Sequence, residues 1–345
     1  MTDEPLIALD AMGGDNAPTE IVAGAVRAAK ELGVRVALVG RPDEIVACLA
    51  RQGPKPDTIT IVSATEVIEM DEPPAYAARH KKDSSVVVGL RMVKQGEVGA
   101  FVSAGNTGAI MAATIMYLGR IKGIERPTLV ALLPLSGKLT AFLDVGANAD
   151  CKPNYLLQFA GMASAYMRHV WDVERPKVAL LNIGEEEEKG STLAKEAYEL
   201  LAGSDLNFIG NVEGRDVPAG VADVIVTDGF TGNVVIKTME GMADFIMGQL
   251  RSAIKSRPWY AAAGLALMPA FNRMRKKLDY REYGAGPLLG VNGLVFIGHG
   301  RSDARAIHSA LRVAREAAQS GMLEALREVA PVRGKARQDE VSPAG

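Results

Sequence analysis

Apolar residues along this chain fall into short runs that alternate with amphipathic stretches. The first run, Leu6-Ile7-Ala8-Leu9, has the length of a buried strand and stops at Asp10. After a glycine-rich turn, Ile21, Val22, Ala25, Val26 and Ala29 recur at helical spacing, with Thr19 placed to cap that helix. Val34–Val39 and Ile59–Val62 predict two more strands, with a helix over 43–51 between them. A helix is expected over 84–95, a strand at Ala100–Val102 and an apolar helix ending near Leu118. Thr128–Leu135 and Leu139–Leu143 read as a strand pair, followed by a helix to Trp171 and a strand at Lys177–Leu181. A helix over 192–202 precedes strands at Phe208-Ile209 and Val224–Val226, and Leu294–Ile297 is a further strand. Strands alternating with helices predict an α/β protein with a mainly parallel sheet covered on both faces; the 128–143 pair makes the sheet mixed. Residues 1–330 are expected to form one α/β domain with room for two lobes, and the polar tail 331–345 is expected to be disordered.

Composition narrows the function classes. A chain of 345 residues, 48% of them hydrophobic, can bury a large core. Lys and Arg number 39 against 41 Asp and Glu, so no global basic field exists to hold nucleic acid, and aromatics for base stacking are scarce at 5%. Two cysteines, Cys48 and Cys151, provide neither a zinc cluster nor a disulfide framework, which fits a reducing cytoplasm. The acidic start Met-Thr-Asp-Glu-Pro does not read as a signal peptide, and no stretch of 18 apolar residues predicts a membrane span. His80, His169, His299 and His308 lack zinc spacing; His169 and His308 fall in helical stretches, while Gly298-His299-Gly300 follows a strand.

One arrangement recurs: a strand ends, a polar glycine-rich turn follows, and a helix begins. It occurs at 10–16, 103–108, 144–150, 182–191 and 228–233. Ligands of open α/β sheets bind beyond the carboxyl ends of the strands, where glycines admit an anion and helix N-termini present N–H groups. Five such turns are expected to share one cleft. None carries the Gly-Lys-Ser/Thr of a P-loop, and the first lacks the third glycine of the dinucleotide fingerprint. Asp10, Asp144 and Asp228 close three strands, either bracing their own turns or lining a polar site. Lys189, after the run Glu185–Glu188, is the best-placed cation, with Arg215 second. The glutamate run reads as a solvated loop, and no metal site is expected. No Gly-x-Ser-x-Gly elbow is present, and Cys151 has no histidine near it in sequence.

A separate signal lies between Phe245 and Leu278. This window contains no Asp or Glu and holds Arg251, Lys255, Arg257, Arg273, Arg275, Lys276 and Lys277. Between the basic flanks runs the uncharged stretch Pro258–Phe271, too short to span a bilayer. Trp259, Leu265, Leu267, Met268 and Phe271 are the residues expected to enter an anionic membrane face, with a buried dimer contact as the alternative. Upstream, Val235, Met239, Met242, Ile246 and Leu250 share a helical face that suits the core or a second subunit. A protruding helical hairpin over 234–280 is therefore expected.

From Ile7 to Pro18 the sequence Ile-Ala-Leu-Asp-Ala-Met-Gly-Gly-Asp-Asn-Ala-Pro resembles the N-terminal signature of the bacterial phosphate acyltransferases (the PlsX family). The likeness continues through Ser103–Gly108, Leu181–Gly184, Gly210–Asp216, Asp228–Asn233 and Gly286–Gly290, and covers all but the tail. One loop departs from it, with Gly284-Ala285-Gly286-Pro287 in place of Gly-Gly-Ala-Pro. The resemblance implies a three-layer α/β/α sandwich akin to phosphotransacetylases and isocitrate dehydrogenase-like enzymes. It implies a homodimer that makes acyl phosphate from long-chain acyl-[acyl-carrier-protein] and inorganic phosphate, early in phospholipid (phosphatidic acid) synthesis, without a cofactor. It also implies peripheral attachment to the inner face of the cell membrane, where a membrane-bound glycerol-3-phosphate acyltransferase consumes the product. Under this reading phosphate is the nucleophile, and the protein supplies position and oxyanion stabilisation. Gly13, Gly14, Asp15, Ser103, Gly105 and Thr107 would then bind phosphate, and Asn106 and Asn233 would contact phosphate or the oxyanion. Lys189 would be the cation and Asp228 its orienting group. A short-chain phosphotransacylase using coenzyme A, or a non-catalytic membrane-surface scaffold, are the competing readings.

Overall fold

The computed structural model describes residues 4–135, 137–257, 259–260, 267–268 and 283–329. Among the described residues eleven strands form one mixed sheet in the order β3-β2-β1-β4-β11-β10-β5-β6-β9-β7-β8. In the first half β1 (Leu6–Asp10) pairs in parallel with β2 (Arg35–Gly40) and β4 (Ala100–Ser103). The edge strand β3 (Ile59–Ser63) runs parallel to β2, and β11 (Val295–Gly298) runs parallel to β4. Three antiparallel pairings follow, β11 with β10 (Ala285–Leu289), β10 with β5 (Thr128–Leu135), and β5 with β6 (Lys138–Leu143). Beyond them β6, β9 (Val224–Val226), β7 (Lys177–Asn182) and β8 (Asn207–Glu213) are again mutually parallel. Three reversals in succession leave the second parallel set running opposite to the first.

Alternate side chains of each strand enter different cores, as the two-residue period of a strand requires. Ile7, Leu9, Val36, Leu38, Ala141, Leu143, Val178 and Leu180 belong to the larger core. It lies beneath α1 (Thr19–Leu32), α2 (Pro42–Ala50), α6 (Pro153–Trp171), α7 (Thr192–Ala202), α9 (Ala304–Gln319) and α10 (Met322–Val329). On the opposite face Ala8, Ala37 and Phe101 pack with α3 (Pro74–His80), α4 (Ser85–Gln95) and α5 (Thr107–Tyr117). Phe142, Ala179 and Ile225 pack there with Val235, Ile236 and Met239 of α8 (Gly229–Lys255). The three-layer expectation is met, with helices on both faces of a mixed sheet.

Several local expectations change. Thr19 is the first residue of α1 and not its cap; Pro18 occupies that position without a side-chain bond. The strand expected at Phe208-Ile209 extends over Asn207–Glu213, and α3 was not anticipated. The apolar stripe of α8 divides: Val235 and Met239 pack on the core, whereas Met242 and Ile246 are exposed. From Gly241 to Ile246 every residue of α8 is exposed, so the helix leaves the body of the protein there. The second arm of the expected hairpin, with Leu265 and Phe271, and the tail 331–345 lie outside the described residues.

Candidate functional site

Reversal of strand polarity sorts the five turns into two groups instead of one. The first group follows β1, β4 and β11. The Asp10 carboxylate, buried at the end of β1, accepts from Met12 N (3.0 Å) and from Ser103 Oγ (2.6 Å) at the end of β4. Ser103 Oγ in turn accepts from Gly105 N at 3.1 Å. Burial pushes the Asp10 carboxyl up, and these bonds together with Ser85 and Gly13 N act against it. Two turns are thereby locked face to face. A Cβ at Gly13 would stand 2.4 Å from Asp10 Oδ2 and 2.8 Å from Gly105 N, so only glycine fits. Gly14 has φ +107° and faces the carbonyls of Ala104 and Gly300, and Asp15 N donates to Gly300 O at 2.8 Å. Thr107 opens α5, and Asn106 Oδ1 caps that helix by accepting from Ala109 N (3.0 Å).

The amide of Asn106 has a second task. Its Nδ2 donates to the carbonyls of Glu69 (3.4 Å), Met70 (3.0 Å) and Glu72 (3.2 Å), which hold the segment before α3 over the β4 turn. Lys81 ties the same segment by bonding Val67 O (2.6 Å) and pairing with Glu72. Sequence reading missed this segment, because residues 65–72 carry no periodic pattern and no glycine signal.

The second group follows β6, β7 and β9. Asp144 is buried and its carboxylate accepts four bonds, from Leu129 N (3.1 Å), Ala147 N (3.1 Å), Asn148 N (2.7 Å) and Asn148 Nδ2 (2.9 Å). Burial nevertheless raises its carboxyl, the donors opposing. Asp228 caps α8, accepting from Thr231 N (2.8 Å) and Thr231 Oγ1 (2.7 Å). One turn further along, Asn233 Nδ2 donates to Val145 O at 3.3 Å. Lys189 stands exposed in the β7–α7 loop, which Asn182 braces through the Lys189 carbonyl (3.0 Å). The guanidinium of Arg215 pairs with Glu213 at 2.8 Å. Among the described residues no group of three or more His, Cys, Asp or Glu is placed to hold a metal ion.

α8 joins the two groups. It starts in the second, crosses the β5–β6 face, and brings Lys237 Nζ to 3.2 Å from His299 Nε2 at the end of β11. Glu240 Oε2 lies 2.8 Å from Lys237 Nζ and 3.9 Å from His299 Nε2. His299 Nδ1 faces Arg301 N at 3.2 Å, and Nε2 faces the Lys237 ammonium and Glu240. Burial and the neighbouring Lys237 ammonium hold the imidazole below the ordinary histidine range, with Glu240 opposing. A neutral imidazole and an ammonium thus sit side by side at a strand end. Of this pair the sequence marked only His299. Lys237 escaped because nothing in its neighbourhood shows that α8 would cross to the other half of the sheet.

Comparison with known proteins accords with the geometry. The family model described as fatty acid synthesis protein matches residues 6–325. A phosphate acyltransferase from Desulfitobacterium hafniense is 52% identical over 328 residues, 94% of this chain and 97% of that protein. One from Dictyoglomus turgidum is 53% identical over 312 residues, 90% of this chain and 93% of that protein. Among solved structures, a phosphotransacetylase from Streptococcus pyogenes superposes with a TM-score of 0.60 at 18% identity, covering 92% of this chain and 95% of that one. A branched-chain phosphotransacylase from Enterococcus faecalis gives 0.54 at 14% identity, covering 90% and 99%. A 4-hydroxythreonine-4-phosphate dehydrogenase from Klebsiella pneumoniae gives 0.54 at 12%, covering 91% and 100%. These three likenesses concern the fold.

Proposed function

The chain belongs to this fatty acid synthesis family of phosphate acyltransferases, and on that footing we propose that it converts long-chain acyl-[acyl-carrier-protein] and inorganic phosphate into acyl phosphate and free carrier protein. The observation that supports this best is the junction of the two groups of turns. Glycine-rich strand ends locked by Asp10 and Ser103 meet the Lys237 ammonium, which α8 brings to His299 at the end of β11. In the reaction an oxygen of HPO4²⁻ attacks the thioester carbonyl carbon and an O–C bond forms. The C–S bond then breaks, and the proton carried by phosphate ends on the released sulfur. No protein nucleophile is required. The Gly13, Gly14, Asp15, Ser103, Gly105 and Thr107 turns position phosphate. The Lys237 ammonium, with neutral His299 beside it, donates to the oxygen on which charge develops, where such donors act most strongly. Asn106 acts by holding residues 69–72 over the β4 turn, and Lys189, Asp228 and Asn233 line the approach from the second group.

A soluble assay of acyl thioester and phosphate, reading acyl phosphate and free thiol, tests the reaction. Activity with acyl carrier protein thioester above that with the coenzyme A thioester supports the proposal; activity with short acyl coenzyme A alone makes the protein a short-chain phosphotransacylase. Asn106→Ala, which frees residues 69–72 from the β4 turn, is expected to lower kcat about 100-fold, and Lys189→Ala about 100- to 1000-fold. Near-normal turnover in both, at saturating phosphate, removes these residues from the site. EDTA is expected to leave turnover unchanged, since each step is served by side chains and backbone N–H groups; strict metal dependence would return the acidic residues as ligands.

The proposal extends to location and assembly. No described helix is long and apolar enough to cross a membrane. Trp259, Leu267 and Met268 are exposed, and the Arg257 guanidinium lies over the Trp259 ring, which suits a basic, apolar surface resting on the inner face of an anionic membrane. The exposed Met242, Phe245 and Ile246 of α8 suit the same helix of a second copy in a homodimer. Acyl phosphate released there would be consumed by a membrane-bound acyltransferase of phospholipid synthesis.

A further inference from the structure

Beside Asp228 lies an open pocket of about 330 Å³, lined by Ala149, Asp150, Cys151, Leu193, Asp228 and Phe230. Its walls come from three places: the β6–α6 turn, the start of α7 and the first turn of α8. Phe230 is 67% exposed, and Ile183, just past the end of the neighbouring strand β7, is 79% exposed. Large apolar side chains at the carboxyl ends of strands face water unless a ligand covers them. The capping bonds of Asp228 to Thr231 fix the backbone that carries Phe230. Cys151 adds to the apolar lining, because burial pushes its thiol up to about 11 and keeps it uncharged at neutral pH.

The charges select the occupant. Asp150 and Asp228 are the two ionisable carboxyls of the lining and no cation is among them, so phosphate is repelled. An uncharged chain is accepted. Two of its walls are tied together, since Asn148 O in the β6–α6 turn accepts from Gly229 N of α8 at 2.8 Å. Resting on the acyl-transfer reading above, we infer that this pocket holds the acyl chain of the thioester, with Phe230 as the wall that sets its preferred length. Phosphate and acyl group would then approach from opposite groups of turns and meet where α8 joins them.

Two measurements test this. The first compares kcat/KM for 16-carbon and 4-carbon acyl thioesters in wild type, Phe230→Ala and Phe230→Leu. The ratio of long to short is expected to fall about tenfold in Phe230→Ala and to recover largely in Phe230→Leu, since apolar contacts over a few methylenes discriminate by about that factor. An unchanged ratio overturns the inference, and so does an equal loss on both substrates. A shift of Phe230→Ala from dimer to monomer in sedimentation would assign Phe230 to a second copy and also overturn it. The second measurement needs no turnover. Cys151 is half-buried in the pocket whereas Cys48 is buried, and in a Cys48→Ser background slow N-ethylmaleimide labelling at alkaline pH, which ionises a small part of the raised thiol, reports Cys151 alone. A 16-carbon thioester should slow that labelling several-fold, and a 4-carbon thioester or inorganic phosphate should not. Protection by phosphate alone, or by neither thioester, refutes the pocket. Wild type that makes no acyl phosphate from any thioester yet shows chain-dependent protection would refute the reaction and leave the pocket standing.

Discussion

At the scale of single residues, strand-end aspartates divide between bracing and chemistry, and their partners decide which. Asp144 accepts four donors with two oxygens, two donors on each. An asparagine has one acceptor oxygen, so either orientation leaves two buried donors facing an NH2 group. Asp144→Asn is therefore expected to destabilise the fold by about 2–4 kcal/mol, read by urea or thermal unfolding. A change within about 0.5 kcal/mol would show that the turn relaxes around the amide. His299 illustrates the other case. Its imidazole is held neutral by burial first and by the Lys237 ammonium second. Protonation would turn Nδ1 from acceptor to donor against Arg301 N–H and open the β11 turn. Activity should thus fall on the acid side, with its midpoint below that of an ordinary histidine. Lys237→Ala removes a repelling positive charge and leaves Glu240, so the midpoint should move to higher pH. Phosphate's own ionisation is common to both proteins and cancels in the comparison. An unmoved midpoint in kcat/KM would mean that His299 does not govern the limb.

Among the elements, those with clean periodicity were legible in the sequence. The α7 range 192–202 and the β9 range 224–226 agree with the expectation to the residue, and the 128–143 strand pair is an antiparallel hairpin. Each was marked by a regular apolar pattern with turn residues at its ends. α3 went unseen because seven residues starting with a proline show no stripe. The convergence of all five turns was overread for a related reason: strand ends can be found in a sequence, but the sign of each pairing cannot. β10 inserts between β11 and β5 from more than 140 residues downstream of β5 and pairs antiparallel with both, so β5 keeps the direction of the first set and the β5–β6 hairpin turns the second half of the sheet the other way. Among candidate site residues, glycines and capping side chains were visible from turn chemistry, whereas the contact of Lys237 with His299 depends on where a 27-residue helix travels. The same helix carries an element-level expectation. Val235, Ile236 and Met239 are partly buried against the sheet, while Phe245 and Ile246 are exposed two turns later. Phe245→Glu with Ile246→Glu should convert a dimer to monomer in sedimentation while leaving the melting temperature of the body within a few degrees. A dimer that persists would place the interface elsewhere.

For the molecule as a whole, charge is distributed so as to orient it. The total is −2, yet the stretch 245–278 alone carries seven Lys and Arg and no acid, which leaves −9 for the rest. Under the proposed membrane attachment an anionic surface attracts this stretch and repels the rest of the chain, and the protein should arrive with the stretch foremost. Each basic residue near such a surface contributes about 1 kcal/mol, an attraction that falls off within a Debye length of about 8 Å at physiological salt. Trp259, Leu267 and Met268 add apolar contact that salt does not screen. Neither contribution is sufficient by itself, because the uncharged run is short and the basic residues are few. Binding to vesicles containing phosphatidylserine should consequently weaken, without vanishing, as salt rises, and should be marginal on neutral vesicles. Leu265→Glu with Leu267→Glu should release the protein at all salt concentrations and leave acyl transfer in solution intact, since the substituted residues lie far along the chain from the phosphate turns. Flotation of both proteins on anionic and neutral vesicles decides the matter. Equal flotation of variant and wild type, or binding indifferent to lipid charge, would take the membrane away from this tip and assign its apolar residues to contact between protein chains.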